Sequence, residues 1–264
     1  MARGEREAFA LRQLRRNLQI KNISIGNKKE KRDHSPIEAS LSHTDFYGMT
    51  VEEIEEFKSI VDSLEPNINA SLFPDFEGNN GILEHFQISS SNENENGAPQ
   101  IISNRKQDKT AKEAFKQLLE TDGDGIIEFV CENEIHSHKW LFQSIKKNVE
   151  KHIKSFRNYG KHDRPAIFLL DYDETTLFCF NSRGEKEWYP FYLLSKDAGA
   201  LTLISDLCSD VMYIAFLNIR FLEVFKTTEM SNLARAIEDE YTFEDANLTV
   251  HHVVQKIIAQ SKVE

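Results

Sequence analysis

The spacing of apolar and polar residues divides the chain into segments with a helical period and segments with a strand-like pattern. Apolar side chains that recur every three to four positions predict amphipathic helices, and short runs rich in β-branched and aromatic residues predict strands. The predicted helices cover residues 51–64, 109–120, 138–157, 198–207, 232–240 and 248–261. The predicted strands are one that ends at residue 75 and the runs 82–89, 125–131, 166–171, 176–181, 211–218 and 221–226. Helices therefore mix with strands along the chain, which predicts an α/β or α+β protein.

Charge separates the N-terminal segment from the rest of the chain. Residues 1–35 contain ten Lys and Arg and four acidic residues, a net charge of +6, whereas the whole chain of 264 residues carries −11. A basic segment on an acidic body can contact phosphates or dock on an acidic partner. We therefore expect a basic N-terminal arm and connector, 1–45, followed by an α/β domain, 46–264.

Four apolar residues recur at helical spacing in the arm, so its first half is predicted to form an amphipathic helix that hides one face against the body or a partner. These residues are Ala8, Leu11, Leu14 and Leu18. The basic residues of the arm supply candidate contacts to nucleic acid, because phosphates attract Lys and Arg. The candidates are Arg12, Arg15, Arg16, Lys28 and Lys29.

Composition narrows the setting in which the protein is expected to work. The cysteines Cys131, Cys179 and Cys208 are far apart and odd in number, which argues against a disulfide framework or a cysteine zinc site and favours a reducing compartment. No apolar run approaches the roughly 18 residues that span a membrane, and the N-terminus lacks the apolar core of a signal peptide. We expect a cytoplasmic protein with no membrane partner.

Two acids near the start of the predicted body are the most informative chemical feature. Asp75 follows Pro74, and Glu84 lies inside the apolar run that is predicted as the next strand. Neighbouring strands could bring the two carboxylates close enough to share a Mg²⁺ ion, which prefers oxygen ligands and water.

This pattern resembles the PD-(D/E)XK nuclease family over residues 46–130. The resemblance implies a mixed central sheet flanked by helices, and a Mg²⁺ site held by Asp75 and Glu84 in which Mn²⁺ can substitute. In the family, a lysine two positions after the second acid helps to activate the attacking water, whereas Phe86 occupies that position here. Strand alternation puts Glu84 and Phe86 on one face of the strand and His85 and Gln87 on the other.

The resemblance also implies supporting roles for residues around the acid pair. Glu53 is the candidate third metal-binding carboxylate. Among the acids at the start of the predicted helix 51–64, its side chain lies closest to the apolar stripe of that helix. The alternative is that Glu53 is a solvated acid near a helix start. The carbonyl of His85 is another candidate metal ligand, and Gln87 would orient the attacking water if a bulge or the strand end brings it to Glu84.

Two other motifs offer alternatives. Asp171 and Asp173 follow an apolar run and resemble the first motif of haloacid-dehalogenase-like phosphatases, in which Asp171 would be the nucleophile and Asp173 the acid/base. A strand is predicted to follow them, however, and this favours a simple hairpin turn. Glu134, His136 and His138 have the spacing of metal ligands if their segment is extended, but a helix that begins at about His138 would break the alignment.

These patterns together predict a Mg²⁺-dependent nuclease that cleaves phosphodiester bonds, with DNA as a better match than RNA. By analogy with where such nucleases occur, a role in bacterial antiviral defence or restriction is expected. Because the family lysine is absent, one alternative is an inactive nuclease-like module that binds nucleic acid or recruits a helicase, an ATPase or another protein through the arm. A phosphatase that uses Asp171 and Asp173 is the second alternative.

Overall fold

Helices and strands alternate through the described part of the chain. The computed structural model describes residues 3–19, 23–26, 43–67, 73–91, 125–132, 136–160, 163–174, 177–181, 188–189, 191–218, 221–237, 241–245 and 252–259. The helices are α1 (Arg3–Leu18), α2 (Val51–Ser63), α3 (His138–Tyr159), α4 (Ala198–Leu207) and α5 (Met230–Ile237). The strands are β1 (Ile23–Gly26), β2 (His43–Tyr47), β3 (Glu65–Pro66), β4 (Phe76–Glu77), β5 (Ile82–Gln87), β6 (Gly125–Glu132), β7 (Ala166–Tyr172), β8 (Leu177–Asn181), β9 (Trp188–Tyr189), β10 (Tyr213–Asn218), β11 (Phe221–Lys226), β12 (Tyr241–Asp245) and β13 (His252–Ala259). Within these ranges, no helix has the length and apolar character needed to cross a membrane.

Eight of the strands form one mixed sheet, in the order β1-β2-β11-β10-β7-β5-β4-β3. Strands β5, β7 and β10 are parallel, while β3, β4 and β5 form an antiparallel meander at one edge. Toward the other edge, β11 is antiparallel to β10 and parallel to β2. Two smaller sheets have the orders β12-β8-β9 and β13-β6.

Helices cover both faces of the large sheet, because each helix has an apolar stripe that must be buried. On one face, α3, α4 and α5 pack against β5, β7 and β10. On the other face, α1 and α2 pack against the same strands. Helix α3 buries the stripe formed by Leu141, Ile145, Val149, Ile153 and Phe156. The predicted α/β class, with a mixed sheet flanked by helices, is confirmed.

Helix α1 belongs to the core of the protein. Its apolar residues Ala10, Leu11, Leu14 and Leu18 are buried in the same cluster as α2 and the sheet. Arg15 adds a polar contact, since its guanidinium donates to the carbonyls of Val61 (3.0 Å) and Leu64 (2.6 Å) at the C-terminal end of α2. The predicted amphipathic helix is confirmed, and the body is the surface that covers its apolar face.

Several element boundaries differ from the sequence prediction. The segment 248–261, predicted as a helix, contains strand β13, which pairs with β6 along its whole length. Its β-branched pairs, Val253-Val254 and Ile257-Ile258, fit a strand that has a partner. Strand β12 was not predicted, and β4 begins after Asp75 instead of ending there. The predicted helix 109–120 lies outside the described residues.

Glu223 is a fully buried acid in the large sheet. Its carboxylate accepts hydrogen bonds from the backbone N–H groups of Leu194 (2.7 Å) and Ser195 (3.2 Å). Burial raises the pKa of Glu223 to about 7 and the charge of Asp45 adds to the increase, although these hydrogen bonds oppose it. The folded protein therefore binds a proton on Glu223 over a pH range in which the unfolded chain has lost it.

We expect the stability of the protein to fall as pH rises from about 4.5 to above 7. The contribution of Glu223 is fully present below its unfolded pKa of 4.5 and is lost as pH passes its folded pKa of about 7. At roughly 1.36 kcal/mol per pKa unit, the loss is about 3 kcal/mol. Urea unfolding between pH 4 and 8 should show a smaller pH dependence in Glu223→Gln. An equal pH dependence in both proteins would contradict the assignment.

Candidate functional site

The two predicted site acids lie side by side at the meander edge of the large sheet. Strands β4 and β5 pair with Phe76 opposite Leu83, so Asp75, just before β4, comes next to Glu84. The backbone N–H of Asp75 donates to Glu84 Oε2 (3.1 Å), and the backbone N–H of His85 donates to Asp75 Oδ2 (2.9 Å). Asp75 and Glu84 are only 7% and 5% exposed. The structure thus brings together three of the predicted site residues, with His85 contributing its backbone.

The acid pair is electrostatically unfavourable when both carboxylates are ionised. Burial, followed by the charge of Glu84, raises the pKa of Asp75 to about 7, while the hydrogen bond from the His85 amide opposes the increase. The charge of Glu7, on α1, raises this pKa as well. Within the described residues, no hydrogen bond uses the second oxygen of Asp75, Oδ1. Such a pair is stabilised by a proton or by a bound cation.

His152, on α3, lies beside Phe86, which occupies the position of the lysine in the PD-(D/E)XK pattern. Its Nδ1 lies 2.6 Å from Glu84 Oε1, and its ring stacks on Phe86 with 4.5 Å between centroids. The sequence prediction missed His152. One signal was available, because His152 comes seven positions after Ile145 and so lies on the apolar stripe of α3. A polar residue on a buried stripe indicates a specific partner.

Asp171 links the acid pair to helix α1. It lies in β7, and its Oδ2 is 3.1 Å from His85 Nε2 and 2.9 Å from Arg6 Nε. Burial by itself would raise the pKa of Asp171, but the hydrogen bond and charge of His85, together with Arg6, outweigh it and lower this pKa. Asp173, which is more exposed, accepts a hydrogen bond from Arg6 Nη1 at 2.7 Å.

The hairpin predicted at Asp171 and Asp173 is wrong. Strands β7 and β8 belong to different sheets, since β8 pairs with β9 and β12. The chain leaves the large sheet after Tyr172, so the two acids are held by Arg6 and not by a tight turn. A strand, β8, follows the motif as predicted, where the phosphatase family would have a loop and helix.

Two predicted site residues are not joined to the acid pair. Glu53 forms a capping box with Thr50, the N-cap of α2, and accepts a hydrogen bond from Lys226. No hydrogen bond or ion pair in the described ranges connects it to Asp75 or Glu84. Gln87 stays on the face of His85, because β5 pairs regularly with β7 through Gln87 and no bulge turns it. With its amide oxygen toward Arg6, that oxygen lies 3.1 Å from Arg6 Nε.

The predicted nucleic-acid contacts of the arm fall into three groups. Arg12 and Arg16 are exposed and lie one helical turn apart on α1. Arg15 is engaged with backbone carbonyls at the end of α2. Lys28 and Lys29 lie outside the described residues. Arg12 and Arg16 are therefore the two candidates that α1 presents to solvent.

A second polar cluster lies beyond the carboxyl ends of β5 and β7. The carboxylate of Glu174 accepts hydrogen bonds from Ser89 Oγ (2.6 Å) and the backbone N–H of Ser90 (2.8 Å), and it lies 3.3 Å from His136 Nδ1. Burial would raise the pKa of Glu174, but the hydrogen bonds from His136 and the serines outweigh it and lower this pKa. The acid is well satisfied by protein groups, so the cluster has a structural explanation.

The metal alignment considered for His136 and His138 does not form. His136 contacts Ser90 and Glu174, whereas His138 starts α3 and its Nε2 lies 2.5 Å from Asp197. Glu134 lies outside the described residues. Across the described ranges, no group of three or more His, Cys, Asp or Glu side chains could hold a metal ion.

Comparisons with protein-family models, with curated proteins and with solved structures find no match to this chain. The resemblance to the PD-(D/E)XK nucleases therefore depends on the residues around Asp75 and Glu84 alone. A function has to be argued from the chemistry of this site.

Proposed function

We propose that the protein is a Mg²⁺-dependent hydrolase of phosphodiester bonds in nucleic acid, as its resemblance to the PD-(D/E)XK nucleases implies. The observation that carries this proposal is the buried pair of Asp75 and Glu84 on neighbouring segments of the sheet. A buried acid whose pKa is raised by a neighbouring carboxylate, as that of Asp75 is, costs folding energy, and such costs are concentrated at functional sites.

The side chains present fit a hydrated Mg²⁺ ion. Magnesium keeps several waters and binds proteins through one or two carboxylates. Asp75, through Oδ1, and Glu84 would hold it, and the carbonyl of His85 is a further candidate ligand. Because the described residues offer no cluster of three or more ligating side chains, water and the substrate phosphate would complete the coordination.

His152 supplies a proton acceptor where Phe86 replaces the family lysine. If Nδ1–H of the neutral ring donates to Glu84, Nε2 is left as an acceptor that can take a proton from the attacking water. Phe86 then has a supporting role, because it stacks against the His152 ring and limits its rotation. Bound Mg²⁺ would stabilise the negative charge that develops on the phosphate.

DNA is the proposed substrate. Arg12 and Arg16 are exposed on one side of α1, where their charges can contact phosphates. The role in bacterial antiviral defence or restriction is a proposal that follows from the family resemblance and not from the site.

Incubation of the purified protein with supercoiled plasmid DNA and with duplex RNA tests this proposal. We expect cleavage of DNA in Mg²⁺ or Mn²⁺, complete loss of cleavage in EDTA, and recovery when Mg²⁺ is added in excess. Mn²⁺ binding measured by calorimetry supplies a readout without substrate. Failure to cleave either nucleic acid with either metal would contradict the proposal and favour the inactive, partner-binding module.

A further inference from the structure

Arg6, near the start of α1, bridges two acids at the end of β7. Its Nε donates to Asp171 Oδ2 at 2.9 Å and its Nη1 donates to Asp173 Oδ2 at 2.7 Å. The side chains of Arg6 and Asp171 are 17% and 7% exposed, so their contact is largely shielded from water. A planar guanidinium can bond two carboxylates at once, whereas the ammonium group of lysine is a point charge without this geometry.

The contacts of Arg6 continue to the acid pair through His85. The carboxylate oxygen of Asp171 that binds Arg6 also lies 3.1 Å from the Nε2 atom of His85. The backbone N–H of His85 donates in turn to Asp75. A series of contacts therefore runs from Arg6 through Asp171 to the His85 ring, and from the His85 backbone to Asp75.

This series crosses from one face of the sheet to the other within strand β5. Glu84 points toward α3, where it meets His152, while the ring of His85 points toward α1. The hydrogen bond from His85 to the acid pair comes from its backbone N–H. Fixing the ring on the α1 side therefore limits how far this part of β5, and its N–H, can move.

Helix α1, which carries Arg6, is packed against the sheet. Leu11 and Leu14, on the turns that follow Arg6, are buried in the core and hold the helix against the sheet. We propose that Arg6 is a positioning residue of the candidate site: by bridging Asp171 and Asp173, it holds the His85 ring and thereby the His85 N–H that Asp75 accepts. This inference rests on the proposed function only in treating Asp75 as a site residue.

Hydrogen exchange of the His85 amide, followed by NMR in the metal-free protein, tests the proposal. In Arg6→Gln we expect this amide to exchange about tenfold faster or more, because local opening at His85 is no longer opposed. The amides of Leu83 and Phe168, in the same two strands, should stay within about twofold of wild type. Arg6→Lys should show most of the acceleration, because lysine keeps the charge and loses the bridge.

The controls separate positioning from general stability. Arg157→Gln removes an exposed ion pair with Asp210 and should leave the His85 amide unchanged. Asp173→Asn removes the negative charge from one arm of the bridge at the surface, and it should give a smaller acceleration at His85 alone. This variant decides the question if Arg6→Gln fails to fold.

Unchanged exchange at His85 in both Arg6→Gln and Asp173→Asn would overturn the proposal. Equal acceleration throughout β5 and β7 would also overturn it, because Arg6 would then act on global stability only. The measurement uses neither metal nor substrate. If the wild-type protein cleaves no nucleic acid, the proposed function is contradicted, but the exchange measurement still tests the role of Arg6.

Discussion

Replacement of Asp75 by asparagine is expected to lower the rate of nucleic-acid cleavage by about a thousandfold or more, because a neutral amide is a poor ligand for Mg²⁺. The fold should survive this change. Asparagine can still accept the hydrogen bond from the His85 N–H, and it lacks the carboxyl group whose pKa is raised to about 7 by burial and by the charge of Glu84. We therefore expect Asp75→Asn to be at least as stable as the wild type at pH 8. The raised pKa of Asp75 lowers the stability of the wild type once the pH exceeds about 7, and asparagine has no such effect.

Cleavage rates and urea unfolding, measured on the same samples at pH 8, check this expectation. Glu84→Gln should lose activity in the same way, because it removes the second carboxylate of the pair. Asp210→Asn is the matched control, since it neutralises an exposed acid far from the pair in sequence and should retain the wild-type rate. Wild-type cleavage by both Asp75→Asn and Glu84→Gln would exclude the acid pair from the chemistry. Loss of activity that only follows loss of stability would indicate a structural role.

Removal of helix α1 is expected to unfold the protein. Deleting residues 1–19 exposes the surface that Leu11, Leu14 and Leu18 cover, which costs about 5–9 kcal/mol at roughly 1.5–3 kcal/mol for each buried leucine. A typical domain has a total stability of about 5–15 kcal/mol. The single change Leu14→Ala should already lower the free energy of unfolding by about 2–5 kcal/mol.

Urea unfolding of Leu14→Ala and of the truncated chain measures these losses, with Arg12→Ala as an exposed control on the same helix. A truncated chain that unfolds cooperatively at the wild-type urea concentration would contradict the placement of α1.

The position of α1 in the core also affects how its contact with DNA can be tested. Since truncation removes part of the core, a loss of DNA binding after truncation would not show that α1 contacts DNA. Substitution of the exposed residues Arg12 and Arg16 is the cleaner test.

Local patterns predicted the helices that have a clear apolar stripe. Helix α4 has its predicted bounds, and α3 extends only two residues beyond its predicted end, to Tyr159. For both helices, periodicity and the surrounding residues point to the same conformation. The segment 248–261, predicted as a helix, has two β-branched pairs four residues apart, a spacing that is compatible with a helix as well as with a strand. Pairing with β6, more than a hundred residues earlier, decides its conformation, and no local pattern contains that information.

The candidate site divides in a similar way. Asp75 and Glu84 are nine residues apart, and the segments that carry them are neighbours in one meander, so their proximity could be predicted from sequence. His152 is 68 residues from Glu84, and Arg6 is 165 residues from Asp171. Contacts over such distances depend on the strand order and on which face each helix covers. Neither property can be derived from the spacing of residues within a single segment.

The strand order also determines when the protein can finish folding during synthesis. Strand β2 ends at Tyr47, but its neighbour β11 begins only at Phe221. At about 5–20 residues per second, a ribosome needs roughly 10–35 s to make the intervening chain. During that time one edge of β2 has no partner from the large sheet, and pairings this far apart in sequence form slowly. Interrupted translation products that stop before β7 would carry Asp75 and Glu84 without Asp171, the residue that contacts the His85 ring.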